Sequence, residues 1–156
     1  MNPNAFIVNI AERRAARHVN RDPAMAPIID GYEEIGLYGE VAFGEFCGQC
    51  PNFLDRRNGD GGIDFTIPLL HTVNVKTSEN AGNLLHDSRK PVVADIYVLA
   101  ELIGGKTTLI GWEWGRRLAA TTPRDFGGHG IPSHHIPRES LRPMRELDKR
   151  IWRVGR

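Results

Sequence analysis

Between Gly59 and Thr77 the chain carries two short runs of period-two alternation, and no other stretch constrains its fold as tightly. The first reads Gly59-Asp60-Gly61-Gly62-Ile63-Asp64-Phe65-Thr66-Ile67-Pro68, and after a short break the second reads Thr72-Val73-Asn74-Val75-Lys76-Thr77. Successive side chains of a strand point to opposite faces. Ile63, Phe65 and Ile67 are therefore expected on one face, with Asp64 and Thr66 on the other. Val73 and Val75 share the apolar face of the second strand, and Asn74 and Lys76 share its polar face. Pairing the two as a hairpin gathers Asp64, Asn74 and Lys76 on one side. A carboxylate, an amide oxygen and an ammonium are groups that hold a divalent cation and a phosphate. An ordinary solvated hairpin face carries the same residue types, so alternation alone leaves both readings open. Asp60-Gly61-Gly62 gives the backbone freedom needed to turn into the first strand.

Upstream, the spacing predicts a helix over Tyr32 to Phe46. Gly36, Gly39 and Gly44 lie inside it, and each glycine in a helix interior costs about 1 kcal/mol against alanine. A helix that tolerates them is expected to press close against a sheet or another helix. Ile35, Val41, Ala42 and Phe46 are its expected core face. Glu40 falls within that apolar surround, and a carboxylate drawn toward a core needs a charged partner or a metal. Capping or pairing with an arginine is the plain alternative. Further upstream, Phe6, Ile7, Ile10, Ala11, Ala15 and Val19 make a helical stripe over Asn4 to Val19, with Arg13, Arg14, Arg17 and His18 mostly off it. Pro23 and Pro27 mark the following segment as a connector.

Downstream, Gln49 to Gly62 reads as a polar loop carrying Arg56 and Arg57, and Glu79 to Arg89 as a second loop. Val92 to Ile103 is the most hydrophobic segment. Gly104-Gly105 makes a hairpin turn, and Thr107 to Trp114 returns. Near-continuous apolar strands of this kind belong in the middle of a sheet covered on both faces. Gly115 to Ala120 reads as a short helix. Thr121 to Pro137 reads as a loop rich in Gly, Pro and His. Arg138 to Val154 reads as a basic helix bent at Pro143. The fold expected is α/β (α+β): one domain with a central mixed sheet of four to five strands flanked by helices. Its core spans about 32–120, with an N-terminal helix over 1–20 and a C-terminal loop and basic helix over 121–156.

A chain of 156 residues suits one domain. Its 40% hydrophobic and 25% charged content is globular in character. With 20 basic and 19 acidic residues the net charge is +1, so any argument for a polyanionic partner must come from local clustering. No apolar run reaches the roughly 20 residues of a membrane span, and Met1 to Asn9 lacks the order of a secretory signal. A cytoplasmic protein is expected. Cys47 and Cys50 form Cys-Gly-Gln-Cys with no second pair, so a zinc site would need His71, His86, His134 or His135 in unspecified geometry. Two reduced structural thiols at a helix end are the expectation.

The helical Gly36 to Glu40 segment, Gly59 to Asp64 entering a strand, and Asn74 to Lys76 on the next strand follow one another in order. They are followed by Asp95 to Leu99, which reads Asp-Ile-Tyr-Val-Leu, and Leu109 to Trp112, which reads Leu-Ile-Gly-Trp. This ordered set resembles the PD-(D/E)XK nuclease superfamily, and within it the small phage- and prophage-encoded members. The resemblance runs from about Gly36 to about Trp114.

It implies a metal-dependent DNA nuclease, an endo- or exodeoxyribonuclease, using Mg²⁺ or Mn²⁺. Asp64 matches the metal-bridging aspartate, Glu40 the helical glutamate that supplements the metal shell, and Lys76 the lysine at the scissile phosphate. The backbone carbonyl of Val75 is the further protein ligand it implies. Asn74 stands where the family usually has Asp or Glu. That departure implies weaker metal binding, a preference for Mn²⁺ or a higher Mg²⁺ requirement. It keeps open a catalytically degenerate relative that binds DNA or protein as an accessory factor, and a structural α/β domain with no site. Arg56, Arg57 and Thr77 are the expected DNA contacts, and Arg116 and Arg117 could flank a groove. A homodimer, or a phage or host protein partner, is compatible with this reading; a membrane is not implied.

Overall fold

Glycine sets the packing of the first helix, α1 (Tyr32–Cys47). A Cβ on Gly39 would overlap Thr77 Oγ1 and lie 3.1 Å from Thr77 Cβ and 3.2 Å from Val75 Cγ1. The helix axis therefore comes as close to the sheet as backbone allows. The computed structural model describes residues 32–51 and 62–152. The helix expected over Asn4 to Val19, Arg56 and Arg57, and the Gly59 to Gly61 lead-in lie outside the described residues.

After α1 come β1 (Phe65–Ile67), a single 3-10 turn, β2 (His71–Ser78), β3 (Asn83–Asp87), β4 (Ile96–Ile103) and β5 (Lys106–Trp114). Then follow α2 (Gly115–Ala119), β6 (Ser133–Pro137), a second 3-10 turn and α3 (Met144–Trp152). The main sheet has the order β1-β2-β4-β5, and β3 pairs with β6 in a second, two-stranded sheet. β2 and β4 run parallel, and the other pairings are antiparallel. The fold is thus mixed α+β, with a four-stranded mixed sheet flanked by helices.

Two apolar layers sandwich this sheet. On one face Phe43 and Cys47 of α1 and Leu147 of α3 pack on Phe65, Val73, Val75, Val98 and Trp112. The Phe43 and Phe65 rings meet with centroids 5.0 Å apart. Burying a side chain such as Phe43 contributes about 2 kcal/mol. On the other face Leu84 of β3, Ile136 of β6 and Leu118 of α2 cover Tyr97 and Leu99. Covered on both sides, β4 is buried from Ile96 through Ala100, as its apolar run predicts.

Several expectations are corrected. The segments Glu79 to Arg89 and Thr121 to Pro137, read as loops, each contain a strand, β3 and β6. β5 is an edge strand of its sheet, buried only toward its end. The α1 core face is Leu37, Phe43 and Cys47, with Phe46 partly buried, and Ile35, Val41 and Ala42 are only half-buried. The terminal helix starts at Met144 rather than Arg138. A proline disfavours helical backbone in the residue before it, and Arg142 before Pro143 instead bridges to Trp112 of β5 with bonds of 3.0 and 2.9 Å. Cys47 and Cys50 are both free; burial pushes the Cys47 thiol up, and Cys50 is exposed.

Gly39→Ala is expected to lower unfolding stability by about 1–3 kcal/mol, the usual cost of overpacking. Rotating Thr77 removes the hydroxyl contact but not those to its Cβ and to Val75. The helix-propensity gain of about 1 kcal/mol offsets only part of this. Urea denaturation measures the loss; an unchanged or raised midpoint would show that α1 can back away from the sheet.

Candidate active site

β1 is shorter than its partner. It pairs with only the first three residues of β2, from His71↔Ile67 to Val73↔Phe65. Beyond Val73 that edge of β2 has no ladder partner among the described residues, and the entry to β1 bends over it. Gly62 makes the bend at φ 81, which L side chains rarely adopt. The Asp64 amide donates to Val73 O at 2.8 Å. A strand repeats its peptide directions every two residues, so the Val75 peptide groups face the same edge. There the Val75 N–H donates to Asp64 Oδ2 at 2.6 Å. The Asp64 carboxylate thus replaces a ladder partner, and the Val75 carbonyl faces the edge beside it.

Asn74 lies between Val73 and Val75 on the opposite face of β2 and is 5% exposed. Its Nδ2 donates to Gly62 O at 2.9 Å. This bond fixes the orientation of the amide. Its Oδ1 is buried and meets no hydrogen-bond donor among the described residues. Leaving such an oxygen unsatisfied costs about 1–3 kcal/mol. Lys76 follows on the same face, half-buried.

Two residues that the sequence did not single out for this face lie beneath it. Tyr97 of β4 is the register partner of Asn74, and the His86 ring of β3 stands edge-on to it at 5.4 Å. His86 Nε2 lies 3.2 Å from both Lys90 O and Pro91 O, so it is the protonated ring nitrogen, donating to them. Burial holds the imidazole below its ordinary pKa, and the Lys76 charge adds to the effect. Burial likewise pushes the Tyr97 hydroxyl up, with the Asp64 carboxylate acting in the same direction.

Glu40 lies on α1, which packs on the Val73 and Val75 face of β2, the face opposite Asn74 and Lys76. It follows Gly39, whose contact with Thr77 and Val75 sets α1 against the unpartnered half of β2, and it is half-buried. The fully buried carboxylate is instead Glu113 of β5, which accepts from Arg117 at 2.7 Å, Arg142 at 3.0 Å and the Trp114 amide at 2.9 Å. Its place between Trp112 and Trp114 was the available sequence signal. Thr77, expected among the DNA contacts, turns its buried hydroxyl against Gly39 under α1. Arg117 is engaged with Glu113, whereas Arg116 is exposed.

Among the described residues no three His, Cys, Asp or Glu side chains form a metal-holding group. The oxygens near this stretch of β2 are of mixed kind: the Asp64 carboxylate and the Val75 carbonyl at its edge, and the buried Asn74 amide on the adjoining face. No protein-family model, curated protein or solved structure matches this chain. No described helix is long and apolar enough to cross a membrane.

Proposed function

We propose that the protein is a metal-dependent nuclease that hydrolyses phosphodiester bonds in DNA. The observation that carries this reading is the oriented, buried Asn74 oxygen with no donor among the described residues, one residue from a main chain held by the Asp64 carboxylate. A hard divalent cation takes oxygen ligands, commonly one or two carboxylates with waters and phosphate. Asp64, Asn74 Oδ1 and the Val75 carbonyl suit Mg²⁺ or Mn²⁺, with Glu40 proposed as the further carboxylate from α1. When bound, such an ion supplies Lewis acidity and lowers the pKa of its coordinated water.

The remaining work falls to the chain itself. The Val75 N–H holds Asp64 in one orientation, so the carboxylate is placed before substrate arrives. Lys76 sets a positive charge where negative charge grows on the attacked phosphate, and a fixed charge there stabilises the transition state more than the ground state. Neutral His86 and the protonated Tyr97 hydroxyl add no competing charge beneath it. Phage or prophage origin belongs to the same proposal and rests on the resemblance; cytoplasmic location is proposed with it, from the sequence's lack of a long apolar run and of a secretory pattern.

A second reading has its own observation. Asn74 is uncharged and its amide braces the hairpin through Gly62, which a degenerate fold member would retain as an accessory DNA- or protein-binding factor. Incubating supercoiled plasmid with purified protein in Mg²⁺ and in Mn²⁺ separates the two. Nicking that disappears in Asp64→Asn is expected. Absence of nicking in either metal would favour the accessory factor.

A further inference from the structure

At the start of β2 and β4 the main sheet opens into a cleft of about 420 Å³, within the range of small-ligand pockets. His71, Val93, Asp95, Trp114 and Arg116 are among its walls. The His71 ring stands edge-on to Trp114 at 5.4 Å, and the Arg116 guanidinium lies over the Trp114 ring at 5.7 Å. Arg116 makes no ion pair with any described residue, so its planar donor edge is directed by the tryptophan rather than by an acid. Asp95 Oδ2 accepts from the Thr72 amide at 2.9 Å and the Thr72 hydroxyl at 3.1 Å, and these bonds hold its carboxyl below the usual range. Its Oδ1 makes no hydrogen bond to a described residue, and the side chain is half exposed.

The cleft lies next to the site above, with Val93 between them. Val93, 44% exposed, forms part of its wall, and a Cβ on Gly62 would lie 3.1 Å from Val93 Cγ2. Gly62 is the residue whose carbonyl orients Asn74. The cleft therefore opens beside the bend that carries Asp64.

We infer that this cleft binds one unstacked nucleobase of the strand being cut, a subsite that rests on the nuclease reading. Flat aromatic and guanidinium surfaces are what a base stacks on, whatever its sequence. A free Asp95 oxygen can accept from an exocyclic amino group, as carboxylates do from cytosine. A phosphate alone fits less well, since Asp95 faces it with like charge. The volume exceeds that of a base and leaves room for its sugar.

The test needs neither metal nor cleavage. Wild-type protein is titrated with dCMP and dAMP in chelator, following tryptophan fluorescence, and the titrations are repeated with inorganic phosphate, Arg116→Ala and His71→Ala. Quenching that saturates with nucleotide, weakens at least tenfold in Arg116→Ala and persists in the presence of equimolar phosphate is expected. No saturable quenching, equal affinity in Arg116→Ala, or full competition by phosphate each overturns the subsite. His71→Ala, which leaves Arg116 in place, is expected to weaken binding as well; an unchanged affinity in both variants removes the cleft from consideration. Nucleotide binding without plasmid nicking would keep the subsite and reject the nuclease, so the two failures read differently.

Discussion

Lys76→Ala is expected to reduce plasmid cleavage by a factor on the order of 10²–10³, the usual effect of deleting one preorganised group that stabilises transition-state charge. It is expected to leave metal binding in place. The oxygens proposed as ligands are positioned by the Asp64 bond to the Val75 amide and the Asn74 bond to Gly62, and neither involves the Lys76 side chain. Metal that binds only the folded protein raises its stability by mass action, by about 2.7 kcal/mol at a hundred times Kd. The Lys76→Ala protein should therefore keep its Mn²⁺-dependent rise in Tm while losing activity. Asp64→Asn should lose both, because it removes the charge and weakens the acceptor that holds the β2 edge. The paired readout matters, since a variant that loses activity through misfolding loses the thermal shift too. Cleavage at the wild-type rate by purified Lys76→Ala would sink the proposed mechanism.

The hairpin was legible because its information is local. Phe65, Ile67, Val73 and Val75 alternate with polar residues over a few positions, and in the structure all four lie in one core layer, with Phe65 paired to Val73. The buried β4 run and the Gly104-Gly105 turn were legible for the same reason. β3 and β6 were not. They pair with each other from distant parts of the chain, and three of the five residues in each are polar or histidine, so neither segment looks like a strand until its partner is known. In α1 the glycines hid the answer. Apolar periodicity pointed to Ile35, Val41 and Ala42, but contact with the sheet is set by Gly39, which carries no hydrophobic signal, and Leu37 and Phe43 bury beside it. At the candidate site, the strand alternation placed Asn74 and Lys76 correctly on one face of β2. The role of Asp64 as a stand-in ladder partner was invisible, because it depends on β1 being too short to cover Val75.

The largest stability effect is expected at the carboxylate that the sequence did not single out. Arg142→Ala should cost about 3 kcal/mol, near the low end for stripping one partner from a buried charge, because Arg117 remains. Glu113 is fully buried, whereas Arg142 and Arg117 are 37% and 58% exposed. The asymmetry fixes the direction of the comparison. Removing an arginine strands a carboxylate that water cannot reach. Neutralising the carboxylate frees two guanidinium groups that water can reach, so Glu113→Gln should cost less. Arg142 also lies over the Trp112 ring at 5.5 Å, and its backbone extends the edge of β5, so Arg142→Lys should recover only part of the loss. The decisive measurement is a double-mutant cycle by urea denaturation. If the stranded charge is the cause, the Arg142→Ala, Glu113→Gln double variant will be more stable than Arg142→Ala alone, with a coupling inside the 0.5–3 kcal/mol seen for residues in contact. Strictly additive losses would instead mean that Arg142 acts through its packing on Trp112, and that the buried carboxylate is held by Arg117 and the Trp114 amide without it.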